Sequence, residues 1–289
     1  EVLVFDNIKT ADYNEVNKFD IARKFGFIRK LRKRKYDLYI DLTGKYSTAL
    51  IAILGNFKYS AGINYHGFGF CYNKFYELDT ATAEGHLIDK YMGIARNIFS
   101  LNDEEWNGLH SKVSNKPHLY TDKSSVLLAT DEINKHQISK PLVCVHLTAG
   151  WKAKELPSEN FASLFEALLD ENRIDILIIG TENDRAKLNE IQSIVGNKYE
   201  LQEKFVILPI EASVELIRLA DLLIGSDSAP LHISGAVETA SIALFGPTNP
   251  EFSKPRGEKH VVVYHHLYCS ASDSEQFCTR NAGKSCPTI

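Results

Sequence analysis

Two stretches in the second half of the chain hold residue types suited to an anionic ligand. In Ile224-Gly-Ser-Asp-Ser-Ala-Pro-Leu-His232 a strand-like run gives way to small residues and then to a helix opened by Pro230. That order turns free backbone N–H groups, including that of Ala229, and the positive end of a helix dipole toward one point, which suits a phosphate. Ser228 adds a hydroxyl, and His232 on the first turn adds a ring N–H. Asp227 repels phosphate, so its expected partners are sugar or ribose hydroxyls. As plain structure, Asp227 or Ser228 would instead cap the helix. In Thr148-Ala-Gly-Trp-Lys-Ala-Lys-Glu-Leu-Pro157 a strand end leads into a small-residue loop with two lysines. Thr148, Ala149 and Gly150 offer a hydroxyl and open backbone. Lys154 or Lys152 could offset charge that grows on a departing diphosphate; otherwise both are solvated loop charges. Glu182, at the end of a neighbouring strand, suits a ribose diol, or serves as a favourable charge at a helix start.

These residues need a scaffold that gathers loops at one edge, and the hydrophobic pattern supplies one. Pro141-Leu-Val-Cys-Val-His-Leu147 is a continuous apolar run, as in a strand buried on both faces of a parallel sheet. Ser158 to Asp170 reads as a helix capped by Ser158, with Phe161, Leu164, Phe165 and Leu168 at helical spacing. Strands at Ile174–Ile179, Phe205–Leu208, Leu222–Gly225 and Ser241–Phe245 then alternate with helices at Asn183–Val195, Ser213–Ala220 and Pro230–Val237. This order predicts a doubly wound α/β sheet, in which ligands sit at the carboxyl ends of the strands. His146–Gly150, Gly180–Glu182, Gly225–Ser228 and Gly246–Thr248 all fall there.

The first half reads as part of a similar unit. Asp37-Leu-Tyr-Ile-Asp41 is a strand, Tyr46 to Leu54 a helix, and Glu84 to Ser100 a helix with Leu87, Tyr91, Ile94 and Ile98 on one face. Leu101 to Ser125 reads as a linker ending in a short strand near His118-Leu-Tyr120, and Thr130 to Ile138 as a short helix. Two Rossmann-like domains facing a cleft are therefore expected, at 1–125 and 126–289.

Composition narrows the class. At 289 residues, 44% hydrophobic and 24% charged, the chain suits a two-domain globular protein. The net charge of −4 argues against nucleic acid as partner. The start, Glu1-Val-Leu-Val-Phe-Asp6, lacks the pattern of a signal peptide and reads as the inside of a strand. Five cysteines, an odd number, argue against a disulfide framework and for a reducing compartment. Cys71 and Cys144 read as buried thiols, and Cys269, Cys278 and Cys286 are too widely spaced for a typical zinc site. Eight of the thirteen residues from Arg23 to Lys35 are Lys or Arg, which marks either a solvated helix or a face for an anionic surface.

Taken together, Asp227-Ser-Ala-Pro-Leu-His232 and Ala243-Leu-Phe-Gly-Pro-Thr248 resemble the signature of the family-9 glycosyltransferases, the ADP-heptose:lipopolysaccharide heptosyltransferases and their relatives. The segment Lys154 to Pro157 with Phe161 is similar to the family's Lys-x-Trp-Pro segment. Asp37–Gly44, Ala61-Gly-Ile63 and His86 before a helix resemble its N-terminal motifs. The similarity runs over nearly the whole chain and is strongest from 141 to 250. It implies a GT-B fold with the donor held mainly by the C-terminal domain, and inversion by direct displacement with no cofactor and no required metal. Thr148 and Lys154 would touch the diphosphate, Glu182 the ribose and the loop from Leu208 to Ser213 the base. Asp227 to Ala229 and His232 would hold the sugar and phosphates. The acceptor would be a lipopolysaccharide-type lipid, placing the protein in the cytoplasm, peripherally on the inner membrane through Arg23–Lys35.

There are departures from the pattern. Ala229 stands where the family has Gly, Leu156 where it has Trp, and the C-terminal cysteine cluster is reduced. The family's first strand, glycine-rich loop and general-base Asp precede the matching part, so an upstream segment is expected to be missing, as is a final helix. That leaves the base unassigned. Asp41 is a weak candidate and reads better as a turn cap. Two other classes remain: a nucleotide-sugar binder without catalysis, and a GT-B enzyme using another nucleotide sugar. A dehydrogenase is disfavoured because no Gly-x-Gly-x-x-Gly follows a first strand.

Overall fold

The computed structural model describes residues 18–64, 67–77, 85–110 and 117–265, with side chains from 26 onward in the first helix and up to 108 in the fourth. Two compact units divide the chain, Glu1–Thr80 with Ile88–Leu109 and Ala81–Leu87 with His110–Ile289. Cys269, Cys278 and Cys286 lie outside the described residues.

In the first unit the elements run α1 (Lys18–Arg34), β1 (Leu38–Asp41), α2 (Tyr46–Leu54), β2 (Tyr59–Ile63), β3 (Lys74–Tyr76), α3 (Leu87–Ile98) and α4 (Asp103–His110). The strands form a parallel sheet in the order β1-β2-β3. Asp41 ends β1 opposite Gly62. A Cβ on Gly62 would lie 2.6 Å from the Tyr72 ring, so only glycine lets that ring lie across β2. The Tyr72 hydroxyl then donates to Asp41 Oδ2 at 2.6 Å. α4 occupies part of the stretch expected to be a linker. Its start is a reciprocal cap: Glu105 N donates to Asn102 Oδ1 at 2.9 Å, and Asn102 N to Glu105 Oε2 at 3.0 Å. A four-residue polar signal thus starts a helix that hydrophobic periodicity did not reveal.

The second unit comprises α5 (Lys123–Lys135), β4 (Leu142–His146), α6 (Ser158–Asp170), β5 (Asp175–Gly180), α7 (Arg185–Val195), β6 (Phe205–Ile207), α8 (Ile210–Leu219), β7 (Leu222–Ser226), α9 (Ala229–Val237), β8 (Ala240–Phe245), α10 (Pro250–Ser253) and β9 (His260–Tyr264). All six strands are parallel, in the order β6-β5-β4-β7-β8-β9. The order reverses between β4 and β7, the switch point where such sheets bind ligands.

Alternate residues of each strand feed two cores. Val143, Val145, Ile176, Ile178 and Ile224 pack under Phe161 and Phe165 of α6 and Leu188 and Ile191 of α7. Leu142, Cys144, Leu177, Ile179 and Leu223 pack on the other face with Ala129, Leu216, Ile217 and Val237 of α5, α8 and α9. Both faces of the central strands are covered, which explains their unbroken apolar runs. Burial also pushes the Cys144 thiol up to about 12, so it behaves as a core residue.

Four local expectations change. His118–Tyr120 forms no strand; the chain runs on to Asp122, which accepts Ser125 N at 2.9 Å and starts α5 at Lys123 rather than near Thr130. Ser158 is the first residue inside α6, with Pro157 at the cap position, and its buried hydroxyl has no hydrogen-bond partner. His260–Tyr264 adds a sixth strand, paired in register with Ser241–Phe245.

Phe165 is fully buried at the centre of the larger core. Phe165→Ala is expected to cost the second unit about 3–5 kcal/mol through lost transfer energy and a residual cavity. Urea unfolding should show a lower midpoint with the same slope. An unchanged midpoint would mean that this core does not limit stability.

Candidate functional site

The β4 and β7 strand ends lie side by side, with His146 opposite Gly225. The loop after β4 makes a single 3-10 turn over Lys152–Lys154, closed by Lys154 N to Trp151 O at 2.9 Å and Glu155 N to Lys152 O at 3.1 Å. Ala153 is buried beneath this turn, and the two lysines diverge. Lys154 Nζ donates to Asp227 Oδ2 at 2.7 Å, whereas Lys152 Nζ pairs with Glu155 Oε2 at 3.2 Å. Of the two lysines, the structure brings Lys154 to the Asp227 loop.

Asp227 is only 6% exposed. Besides Lys154 it accepts the Thr248 hydroxyl on Oδ2 at 2.9 Å, and His232 Nε2 stands 3.4 Å from Oδ1. Burial alone would raise its pKa. The His232 contact, the charge and hydrogen bond of Lys154, and the Thr248 hydroxyl outweigh burial and bring it down to about 2. Asp227 is therefore an anion held by side chains from the loop after β4, helix α9 and the loop after β8. Its oxygens are occupied by protein donors, which makes it the anchor of Lys154 and His232.

A second carboxylate organises the neighbouring loops. Asp184 accepts Thr148 Oγ1 at 2.6 Å, Thr181 N at 2.6 Å and Thr181 Oγ1 at 2.9 Å. Burial raises its pKa, but hydrogen bonds from Thr148 and Thr181 and the nearby His146 leave it lowered. Gly180 makes room for it: a Cβ there would sit 2.9 Å from Asp184 Oδ2 and from the Phe205 ring. Glu155 steadies the intervening loop by accepting Ala149 N at 3.4 Å. The N–H of Gly150 lies on an exposed, uncrowded stretch.

Ser228 occupies the cap position of α9 without a side-chain cap bond. Its hydroxyl donates to Ser226 O at 3.1 Å and lies 3.3 Å from His146 Nδ1. Ala229 opens the helix on the exposed side. Of the residues singled out in the sequence, Thr148, Ala149, Gly150, Lys154, Asp227, Ser228, Ala229 and His232 all lie on the loops and helix start at the carboxyl edge of the β4–β7 crossing. Glu182 stands further out, 70% exposed and bonded to Arg185 at 2.5 and 3.0 Å. Asp41 belongs to the first unit and accepts Thr43 N and Oγ1 at 2.8 Å, Gly44 N at 3.2 Å and Tyr72 OH. Burial raises its pKa, yet hydrogen bonds from Thr48, Tyr72 and Thr43 leave it lowered, which makes it a weak proton acceptor.

Sequence reasoning gave no role to Asp184, Glu155 and Lys187, and named His146 and Thr248 only as members of strand-end loops. Thr181-x-x-Asp184 is a readable capping box. Lys187 is 7% exposed on α7, with its pKa lowered first by burial and then by Lys152, against Glu155, Glu190 and Glu159; no local signal marks it.

Comparison with known proteins follows the same outline. The sequence profile of glycosyltransferase family 9 (heptosyltransferase) matches residues 24–281. The chain is 28% identical to lipopolysaccharide heptosyltransferase 3 of Escherichia coli over 239 residues, 81% of this chain and 66% of that protein. It is 30% identical to lipooligosaccharide heptosyltransferase 2 of Haemophilus influenzae over 115 residues, 38% of this chain and 32% of that protein. The chain thus spans just under two thirds of the first relative and about a third of the second. A glycosyl transferase family 9 structure from Veillonella parvula superposes with a TM-score of 0.69 at 20% identity, covering 86% of this chain and 68% of that one. The structure of E. coli ADP-heptose LPS heptosyltransferase II gives 0.67 at 20% identity, covering 88% and 76%. These likenesses establish the fold as GT-B, an α/β architecture with two parallel sheets.

Asp227→Asn tests the anchor. The folded pKa of Asp227 lies below its unfolded value, so its ionisation stabilises the fold above about pH 4 and that contribution fades as pH falls toward 2. Wild type is expected to exceed the variant by about 2 kcal/mol at pH 7, with the gap closing in the acid limb. Urea titrations at several pH values measure this. A pH-independent gap would show that the charge is not responsible.

Proposed function

The chain belongs to glycosyltransferase family 9, and on that premise we propose that it moves a heptose or related sugar from an ADP-activated donor to a lipopolysaccharide-type acceptor. The observation that carries this reading is the Lys154–Asp227 pair beside the start of α9. An ammonium held by a buried carboxylate cannot swing away, yet two of its three N–H groups remain for a ligand. A diphosphate resting against it would also meet the N–H groups at the start of α9 and the Thr148–Gly150 loop.

In this reading Lys154 is the catalytic cation. It stabilises the charge that appears on the diphosphate as the bond to the sugar breaks, a task that preorganised positive groups perform best in a partly dry site. No metal is required for that step. Thr148, Ala149, Gly150, Ser228 and Ala229 grip the phosphates, and Asp227 with His232 faces the sugar. Glu182, near the end of β5, meets the ribose by exchanging its Arg185 contact for two hydroxyls. The acceptor hydroxyl attacks from the opposite face and inverts the anomeric centre; the base for that proton is left unassigned.

The same reading places the protein at the cytoplasmic face of the inner membrane. Arg29, Lys30, Lys33 and Arg34 are exposed on α1, while Leu31 is buried beneath them. Such residues contribute about 1 kcal/mol each near an anionic leaflet. Among the described residues no helix is long and apolar enough to cross a membrane.

Isothermal titration with ADP and UDP tests the donor site. ADP is expected to bind at least about tenfold more tightly than UDP, and Lys154→Ala to weaken ADP by about tenfold, the loss of one charge-assisted contact. A preference for UDP would point to another nucleotide sugar, and no binding of either would sink the site. For the surface, vesicles with anionic lipid should co-sediment the protein several-fold better than neutral ones. Equal capture would leave α1 as a solvated helix.

A further inference from the structure

His146 closes β4 and stands between two loops that the proposed reading puts at the donor phosphates. Its Nδ1 lies 3.3 Å from Ser228 Oγ on the loop after β7. Beyond it the chain runs through Leu147 to Thr148, whose hydroxyl is tied to Asp184. Burial holds the ring's pKa below its ordinary value, against the charges of Asp184 and Glu155 and a backbone bond at Thr148, which favour the protonated form.

Ser228 Oγ has two partners within reach, Ser226 O and His146 Nδ1. Ser228 has one hydroxyl proton, and in one of the two arrangements it rests on Ser226 O, 3.1 Å away. The Nδ1 contact can then be a hydrogen bond only if Nδ1 carries a proton and donates to Ser228 Oγ. In that arrangement Ser228 is held from behind by an N–H donor while its own proton rests on a backbone carbonyl. That proton is the part free to turn. When an anionic oxygen approaches the start of α9, the hydroxyl can rotate from Ser226 O to the ligand while Oγ stays on His146. A hydroxyl that accepts a hydrogen bond is also a stronger donor, because the two bonds polarise one another.

We propose that His146 is a positioning residue for the donor diphosphate, acting through Ser228, whose hydroxyl it holds and polarises toward a phosphate oxygen. The proposal rests on the reading of this edge as the ADP-sugar site. It adds a residue that does not itself touch the donor, and it makes the Ser226–Ser228 turn a rotor with two settings, one empty and one occupied.

The test is a double-mutant cycle on ADP affinity, measured by titration calorimetry on the whole chain, with adenosine as a phosphate-free control. His146→Ala is expected to weaken ADP about three- to tenfold, the loss of one supported hydrogen bond, and to leave adenosine unchanged. His146→Asn places an amide N–H where Nδ1–H stood and should restore most of the affinity. In a Ser228→Ala background the His146→Ala change should have almost no further effect, since contacting residues that act as a unit are not additive. Equal losses for ADP and adenosine, failure of the Asn variant to restore affinity, or full additivity with Ser228→Ala would each overturn the proposal. Thermal melts of each variant identify a loss that comes from unfolding, which also counts against it. If wild type binds ADP and His146→Ala binds it equally well, the positioning role falls while the donor site stands. If wild type does not bind ADP, both fall.

Discussion

Asp227 is a carboxylate with almost no contact with water, and its ionised form persists only because Lys154, Thr248 and His232 surround it. An isolated buried carboxylate would be too costly to keep charged, so the three donors are a condition of the fold as well as features of the site. Lys154 comes from the loop after β4, Thr248 from the loop after β8, and His232 from helix α9, which follows β7. They can converge only if β4, β7 and β8 are adjacent and parallel, with their carboxyl ends level. The sheet order supplies that adjacency, and the two cores above and below the sheet hold it. The same requirement explains the short 3-10 turn after β4: it buries Ala153 and directs Lys154 across to β7 while leaving Lys152 outside.

Other charge pairs at this edge behave differently. Glu182–Arg185 and Lys152–Glu155 each include a side chain more than half exposed, so water screens them and they contribute little to stability. They shape where loops rest. Asp184 belongs with Asp227 in kind. It is buried, satisfied entirely by hydroxyls and backbone, and it links the ends of β4 and β5. Two buried carboxylates thus pin three consecutive strand ends of the sheet, β5, β4 and β7, and so fix the roots of the exposed Gly150 loop and of the α9 start at Ala229.

Much of this was legible in the sequence, and the reasons differ by element. Strands of a covered parallel sheet are unbroken apolar runs, so Leu142–His146 and Leu222–Ser226 could be read to within a residue or two. Helix α6 could be read because Phe161, Phe165 and their neighbours repeat at helical spacing. The misses are places where polar capping decides. α4 begins at the Asn102–Glu105 exchange, and α5, capped by Asp122, begins at Lys123, seven residues before the expected start at Thr130. At the site, Lys154 and Asp227 were readable as types suited to a diphosphate and a sugar. Their pairing was not, because 73 positions separate them and only the β4–β7 crossing brings them within 2.7 Å. Asp184 was overlooked for a related reason: Glu182, two residues earlier, looked like the functional acid, while the backbone turns Asp184 inward. Leu156 is buried in the larger core with Phe161, so it serves packing rather than the ligand edge.

The pairing of Lys154 with an anion before any donor arrives bears on the proposed catalysis. A lysine held free at full charge would bind a ground-state diphosphate tightly, and tight ground-state binding does not accelerate a reaction. Shared with Asp227, the same ammonium offers the incoming diphosphate only part of its field. As the sugar leaves, charge accumulates on the phosphate oxygens and the balance of sharing moves toward them. Asp227, whose pKa is already near 2, gives up part of that contact without taking a proton, because Thr248 and His232 still hold it. The stabilisation therefore grows with the leaving-group charge, which is the property that separates transition-state from ground-state interaction. Removing Asp227 would free Lys154 to bind ADP more tightly in the ground state while losing the geometry that makes the interaction late. A buried pair that looks at rest like a neutralised, inert contact is thus well suited to differential stabilisation.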